Sequence, residues 1–252
     1  MLQNAGMTSQ DIEAIERATV AAVSPQAQEE IAGWLLPFDT GTVGRAKSAV
    51  PLVHDAPDPA ALESIEARYA AREMPVMLRL PDIPAFDGFR ERLRAQGYAG
   101  GKPTHVQTAA TRAVMNVSPG PYADTSARPD AVWAAVFVGE GFDAVDGASR
   151  VAILSRAPGA LFASIRDGED TVAAGMGGFS HGWAGVHGMR TALRCRGRGL
   201  AGRVLATIAH AAQQRGIERV YLQVEAGNAA ALALYRRAGF ETAWTYSYWK
   251  KA

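Results

Sequence analysis

With one cysteine, Cys195, in 252 residues, the chain has too few thiols for an intramolecular disulfide, and it shows no His, Cys, Asp and Glu grouping at metal-ligand spacing. A disulfide-stapled scaffold and a structural metal site are both excluded, and a reducing, cytoplasmic setting is expected. No window approaches the roughly 18–20 apolar residues of a bilayer span, and the polar stretch from Met1 to Ile12 lacks the basic start and apolar run of a signal peptide. Charge of one sign is scarce too. Twenty-six Lys and Arg stand against 25 Asp and Glu, so nothing draws the chain to a nucleic acid or an anionic membrane. The arginines from Arg190 to Arg203 are a local exception. Gly-x-x-x-x-Gly-Lys-Ser/Thr and Gly-x-Ser-x-Gly are both missing, which leaves nucleotide hydrolysis and serine hydrolysis without a signal.

What is present is an ordinary globular composition, 48% hydrophobic and 20% charged, on a chain longer than the usual domain of about 100–150 residues. Two domains are expected, divided where Asn116 to Pro129 turns rich in Pro, Gly and Ser: residues 1–117 and residues 118–252. In the first, Ser9 is placed to cap a helix through Ile12, Ile15, Ala18 and Ala22 that ends near Ser24-Pro25 and packs on the same domain. Trp34–Phe38 and Val43–Leu52 read as extended, Ala60–Arg72 and Phe86–Gln96 as helical, and Val76–Leu80 and Thr104–Val114 as strands. In the second, helices are expected at Asp130–Val138 and Gly147–Arg156. Strands follow at Ala160–Arg166, Thr171–Phe179 and Trp183–Leu193, then a helix from Gly199 to about Arg215, a strand Arg219–Val224, a helix Ala229–Ala238 and a strand Glu241–Trp249. The whole is α/β with mixed sheets.

The halves share a pattern of strand, helix, Gly-aromatic, strand: Val76–Leu80, Phe89–Ala95, Gly97-Tyr98 in one, and Val220–Val224, Leu234–Ala238, Gly239-Phe240 in the other. Chance likeness of two short βαβ pieces is the plainer alternative to a repeat. Only the second half carries Arg194-Cys195-Arg196-Gly197-Arg198-Gly199-Leu200-Ala201, a glycine-bearing turn feeding a helix. There, unpaired main-chain N–H groups and the helix dipole can hold a phosphate. Gly197 to Gly202 also satisfies Gly-x-Gly-x-x-Gly. A dinucleotide fold, however, needs more βα units than the roughly fifty following residues supply.

Taken with Asn228-Ala229-Ala230-Ala231-Leu232-Ala233-Leu234-Tyr235, this turn resembles the pyrophosphate loop and following helix of the GCN5-related N-acetyltransferases, whose loop reads Arg/Gln-x-x-Gly-x-Gly/Ala. The likeness covers roughly Ala160 to Trp249. It implies two domains of that fold, a degenerate first one and a second with the intact acetyl-CoA loop. It also implies transfer of an acetyl group from acetyl-CoA to a primary amine of a small molecule or peptide, by a monomer or homodimer using no metal, nucleic acid or membrane. A CoA-binding regulatory module and a transferase using another acyl-CoA are the alternatives.

On the resemblance, Met189, Arg190 and Thr191 lie on the strand beside the thioester, and the main-chain N–H of Met189 or Arg190 polarises its carbonyl. Residues Arg194, Cys195, Arg196, Gly197, Arg198, Gly199, Leu200 and Ala201 surround the pyrophosphate, with Asn228 and Ala231 at the start of the next helix. Tyr235 takes the place of the phenol that protonates the departing thiolate. No acid stands near Trp183 or Ala184, where several family members carry a glutamate, so His187 and Glu225 are the candidate proton acceptors; each has an ordinary structural role as its alternative. The first half is expected to complete the acceptor pocket, from Trp34 and Arg45 on its strands.

Overall fold

A computed structural model describes residues 7–251; the first six residues of the polar N-terminal stretch lie outside it. Helix α1 (Ser9–Val23) opens the chain, and its cap is Thr8, one residue before the expected Ser9. The Thr8 hydroxyl accepts from the Asp11 N–H while the Asp11 carboxylate accepts from the Thr8 N–H, satisfying two of the helix's free donors. There follow β1 (Ala27–Ile31), β2 (Trp34–Phe38), a 3-10 turn at Gly44–Ala46, β3 (Val50–Pro51), α2 (Ala61–Ala70), β4 (Met77–Pro81), α3 (Asp87–Ala95), β5 (Tyr98–Ala110) and α4 (Thr111–Met115). The remainder is β6 (Asp124–Ser126), α5 (Ala131–Ala135), α6 (Ala144–Leu154), β7 (Leu161–Asp167), β8 (Asp170–Ser180), β9 (Trp183–Thr191), α7 (Leu200–Gln214), β10 (Arg219–Glu225), α8 (Ala229–Arg237) and β11 (Glu241–Lys251).

Eight strands form one sheet in the order β4-β11-β5-β10-β9-β8-β7-β6, while β1, β2 and β3 form a small separate one. The sheet runs across the 117/118 division. The unit β4-α3-β5 and the unit β10-α8-β11 interlock, β11 lying between β4 and β5 and β5 between β10 and β11, every contact antiparallel. After each helix the chain reverses through a left-handed glycine, Gly97 at φ 83° and Gly239 at φ 84°, into a buried aromatic, Tyr98 or Phe240.

Alternation along the strands decides which residues reach which face. Ala184, Val186, Leu222 and Val224 turn to α7, whose Val204, Leu205 and Ile208 recur at helical spacing and close the main core. Trp183, Tyr221 and Tyr246 turn the other way, against Ile15 and Ala18 of α1. Helix α1 therefore packs on β8 and β9 of the second half, a correction to its expected place on the first. Its apolar stripe is wide enough for either sheet region, and periodicity does not tell them apart. Two further departures matter for the site. The Val43–Leu52 stretch is a 3-10 turn at Gly44–Ala46, packed close against the Tyr248 ring, and a two-residue strand at Val50–Pro51. The proline-rich connection after α4 contains edge strand β6, paired with β7.

Candidate active site

Strands β9 and β10 run parallel and pair only over Ala184–Val186 and Val220–Leu222. Beyond those residues the strands part, leaving one edge of β9 from His187 onward with main-chain groups free of a β10 partner. A bulge sharpens the divergence: Ala174 faces Arg190 and Met176 faces His187, so Gly188 and Met189 together oppose Gly175. The extra residue tilts the end of β9 away from its neighbour.

Two cavities flank the gap. One, of about 550 Å³, lies along the α7 N-terminus and is lined by Met189, Arg190, Thr191, Cys195, Arg196, Gly197, Gly199, Leu200, Ala201, Asn228, Ala231 and Tyr235, with Gly202, Ala230, Leu234 and Arg237 besides. Of the residues expected there, Arg194 and Arg198 turn elsewhere, Arg194 to Asp170 at 2.7 Å and Arg198 to Asp167 at 3.8 Å. Both partners sit at the β7–β8 turn, beyond the reach of any sequence pattern. The turn itself fits an anion. Gly197 and Gly199 both hold φ 77°, a left-handed conformation that glycine adopts without strain, and a Cβ built on either would meet no atom within 4 Å, so the turn's surface is open there. Cys195 is buried beneath it.

The second cavity, of about 320 Å³, opens on the α1 side of the sheet. His187, Gln223, Glu225, Tyr246 and Tyr248 line it, as do Arg45 from the 3-10 turn, Thr104 from β5 and Arg150 from α6. The cavities share Met189, Arg190, Asn228, Ala231 and Tyr235. Asn228 caps α8, its side-chain oxygen accepting from the Ala231 N–H at 3.2 Å. Tyr235 is 7% exposed and packs on Phe240. Its hydroxyl makes no hydrogen bond among the described residues, and burial pushes its pKa up to about 12.

His187 is 2% exposed, 3.4 Å from the Tyr221 hydroxyl through Nε2, and its Nδ1 has no partner among the described residues. Burial first, then the positive charge of Arg45, holds its pKa down at about 3. Glu225 is exposed at the mouth. Trp34, expected at the acceptor pocket, is instead stacked on Phe89 in the core around α2 and α3. Arg45 does reach the cavity, but from a turn and not a strand. Arg150 carried no sequence signal. Gln223, Tyr246 and Tyr248 had one: Gln223 alternates onto the face of Glu225, and Tyr246 and Tyr248 are one strand repeat apart. Among the described residues no His, Cys, Asp and Glu group is placed to hold a metal, and no helix is long and apolar enough to cross a membrane.

Residues 8–249 match the family model described as "Probable histone acetyltransferase Rv0428c C-terminal". The chain is 28% identical over 235 residues to "Uncharacterized N-acetyltransferase YobR" of Bacillus subtilis (strain 168), covering 91% of this chain and 94% of that protein. Among solved structures it resembles a GCN5-related N-acetyltransferase from Kribbella flavida at TM-score 0.67 and 19% identity over 95% of each chain. It also resembles a tandem protein of that fold from the clavulanic acid biosynthesis pathway, at TM-score 0.58 and 16% identity over 96% of each chain. With nearly its whole length inside the family model, and with β9 and β10 splayed beside a glycine turn and Tyr235, the chain belongs to the Rv0428c C-terminal family and is an N-acetyltransferase of the GCN5-related superfamily.

Proposed function

We propose that the enzyme transfers the acetyl group of acetyl-CoA directly to a primary amine of a small molecule or peptide. The observation that carries this is the meeting of the two cavities at Met189, Arg190, Asn228, Ala231 and Tyr235. One cavity has the glycine turn and helix N-terminus that suit a pyrophosphate; the other has the polar lining that suits an amine. The free edge of β9 supplies a main-chain donor for the acetyl carbonyl, and closeness of the two reactants lowers the barrier further. Tyr235 keeps its proton at neutral pH and gives it to the departing thiolate.

We assign the acceptor's proton to Glu225, directly or through a water, because Glu225 stands exposed at the mouth of the cavity while His187 is buried and its charged form is disfavoured by that burial and by Arg45. Residues 1–117 read as a degenerate copy of the same fold and 118–252 as the catalytic one. The interlocked βαβ units and their matching glycine reversals support this, as does the single phosphate turn.

Thiol release from acetyl-CoA across a library of amines tests the reading: turnover that requires an amine supports it, and CoA binding without turnover overturns it. Glu225→Gln should lower kcat/KM about a hundredfold, within the range for lost general base catalysis. Gly199→Ala would force a left-handed residue to carry a Cβ, at about 1–2 kcal/mol. No side chain obstructs that Cβ, so the effect should fall on the turn alone. It is expected as about a tenfold rise in KM for acetyl-CoA with kcat little changed.

A further inference from the structure

Three guanidinium groups, Arg45, Arg150 and Arg190, line the acceptor-side cavity against one carboxylate, Glu225, in a protein whose net charge is only +1. All three are half-buried. Arg150 is paired through Nε with Asp146 at 2.6 Å, which leaves its terminal nitrogens unengaged by that bond. Arg45 and Arg190 form no ion pair among the described residues. Arg45 Nη1 donates only to a neutral amide oxygen, Gln223 Oε1, at 3.4 Å. Arg190 Nη1 donates to the Met189 carbonyl at 3.3 Å, its Nε is buried with no partner among the described residues, and its guanidinium lies 5.0 Å from the Phe142 ring. Burial, and next the nearby charge of Arg150, pull the Arg190 pKa down.

The position of Arg45 is built in. A Cβ on Gly44 would come within 2.8 Å of the Tyr248 ring, so the turn lies flat on that side chain. Gln223, which receives Arg45, also accepts from the Tyr246 hydroxyl at 2.8 Å and donates to Thr19 of α1 at 3.0 Å. Arg45 and Arg150 do not line the cavity that suits the pyrophosphate, so the phosphates of acetyl-CoA do not account for them.

We propose that the acceptor is a small amine that also carries an anionic oxygen group, a carboxylate or a phosphate, bound by Arg45 with Arg150 and Arg190 while its amino group lies toward Glu225. This rests on reading the cavity as the acceptor side. Half-buried guanidinium groups with free N–H donors bind carboxylates and phosphates through paired hydrogen bonds, and the same charge repels polycations such as lysine-rich tails and polyamines.

The test uses the full-length enzyme and acetyl-CoA with matched acceptors. Glycine, β-alanine and γ-aminobutyrate are each set against their amides, phosphoethanolamine is set against ethanolamine, and a lysine-rich histone-tail peptide serves as the polycation. The anionic member of at least one pair should show kcat/KM about tenfold to a hundredfold above its neutral partner and above the tail peptide, the span expected for charge-assisted hydrogen bonds. That ratio should collapse toward one in Arg45→Gln and recover in part in Arg45→Lys, with thermal melting confirming that both variants are folded. The carboxylate and phosphate pairs distinguish the two groups. Calorimetric binding of the N-acetylated amino acids and their amides, with CoA present, is the second readout. Anion-selective, Arg45-dependent binding without turnover keeps this proposal and sinks acetyl transfer. Turnover with ratios near one in every pair, or ratios unchanged in Arg45→Gln, keeps acetyl transfer and overturns the proposal, as does the absence of both turnover and selective binding.

Discussion

Replacing Tyr235 by phenylalanine is expected to cut kcat for acetyl transfer about a hundredfold while leaving the melting temperature at neutral pH nearly unchanged. The ring packs on Phe240 within the main core, and phenylalanine keeps that contact. The hydroxyl makes no hydrogen bond among the described residues, so its removal leaves no partner stranded. What is lost is the proposed proton donor where the two cavities join. A thiol of ordinary pKa near 8.5 leaves more readily than an alcohol, which places the effect toward the lower end of the range for general acid catalysis. The burial that raises the phenol to about 12 also raises the proton affinity of a thiolate expelled into the same cleft.

A pH signature accompanies this prediction. The unfolded phenol ionises near 10 and the folded one near 12, so the unfolded state loses its proton first and stability falls as pH rises through that interval. The slope approaches about 1.4 kcal/mol per pH unit from this group, and Tyr235→Phe removes its share. Undiminished turnover in the variant would take Tyr235 out of the mechanism.

Local chemistry made much of the second half legible. The glycine turn, the Asn228 cap and the Tyr235 helix are all specified within about fifty residues, and the structure brings them to one gap. Strand and helix identities followed from periods of two and 3.6, which survive without knowledge of neighbours. The pairing of elements distant in sequence was not legible. That β5 lies between β10 and β11, or that α1 crosses to β8 and β9, depends on which apolar faces find each other, and several are equally apolar. The cavity proposed for the acceptor shows the same limit. Arg45, Thr104, Arg150 and Tyr248 are separated by up to 203 positions and share no motif. Because of the interlocking, removing residues 1–117 would take β5 out of the middle of the sheet, so single substitutions such as Arg45→Gln are the cleaner probe of the first half.

Beneath the acceptor cavity, Arg79 of β4 is fully buried and pairs with Glu16 of α1 at 2.7 Å, its guanidinium 5.1 Å from the Tyr246 ring. Glu16→Gln is expected to destabilise the protein by about 3–5 kcal/mol, because it leaves a buried cation without a counter-charge. In a chain of this length that is a fall of about 10 °C in melting temperature. The pair is not thereby a source of net stability. Burial pushes the Glu16 pKa up in spite of the adjacent arginine, and Glu16 Oε2 and all three guanidinium nitrogens of Arg79 lack a well-aligned hydrogen bond among the described residues, the 2.7 Å contact being a close ion pair only. The double variant Glu16→Leu with Arg79→Met, which removes both charges and keeps most of the volume, should therefore recover most of the lost stability. Its activity is the sharper readout. Glu16 and Thr19 stand one turn apart on α1, and Thr19 holds Gln223, which in turn receives Arg45 and Tyr246. If the ion pair serves to fix α1 over the cavity, the double variant melts near the parent but shows a raised KM for the amine with little change in KM for acetyl-CoA. A double variant with parental kinetics would mean that apolar packing of Ile15 and Ala18 on Trp183 and Tyr221 is enough to place the helix.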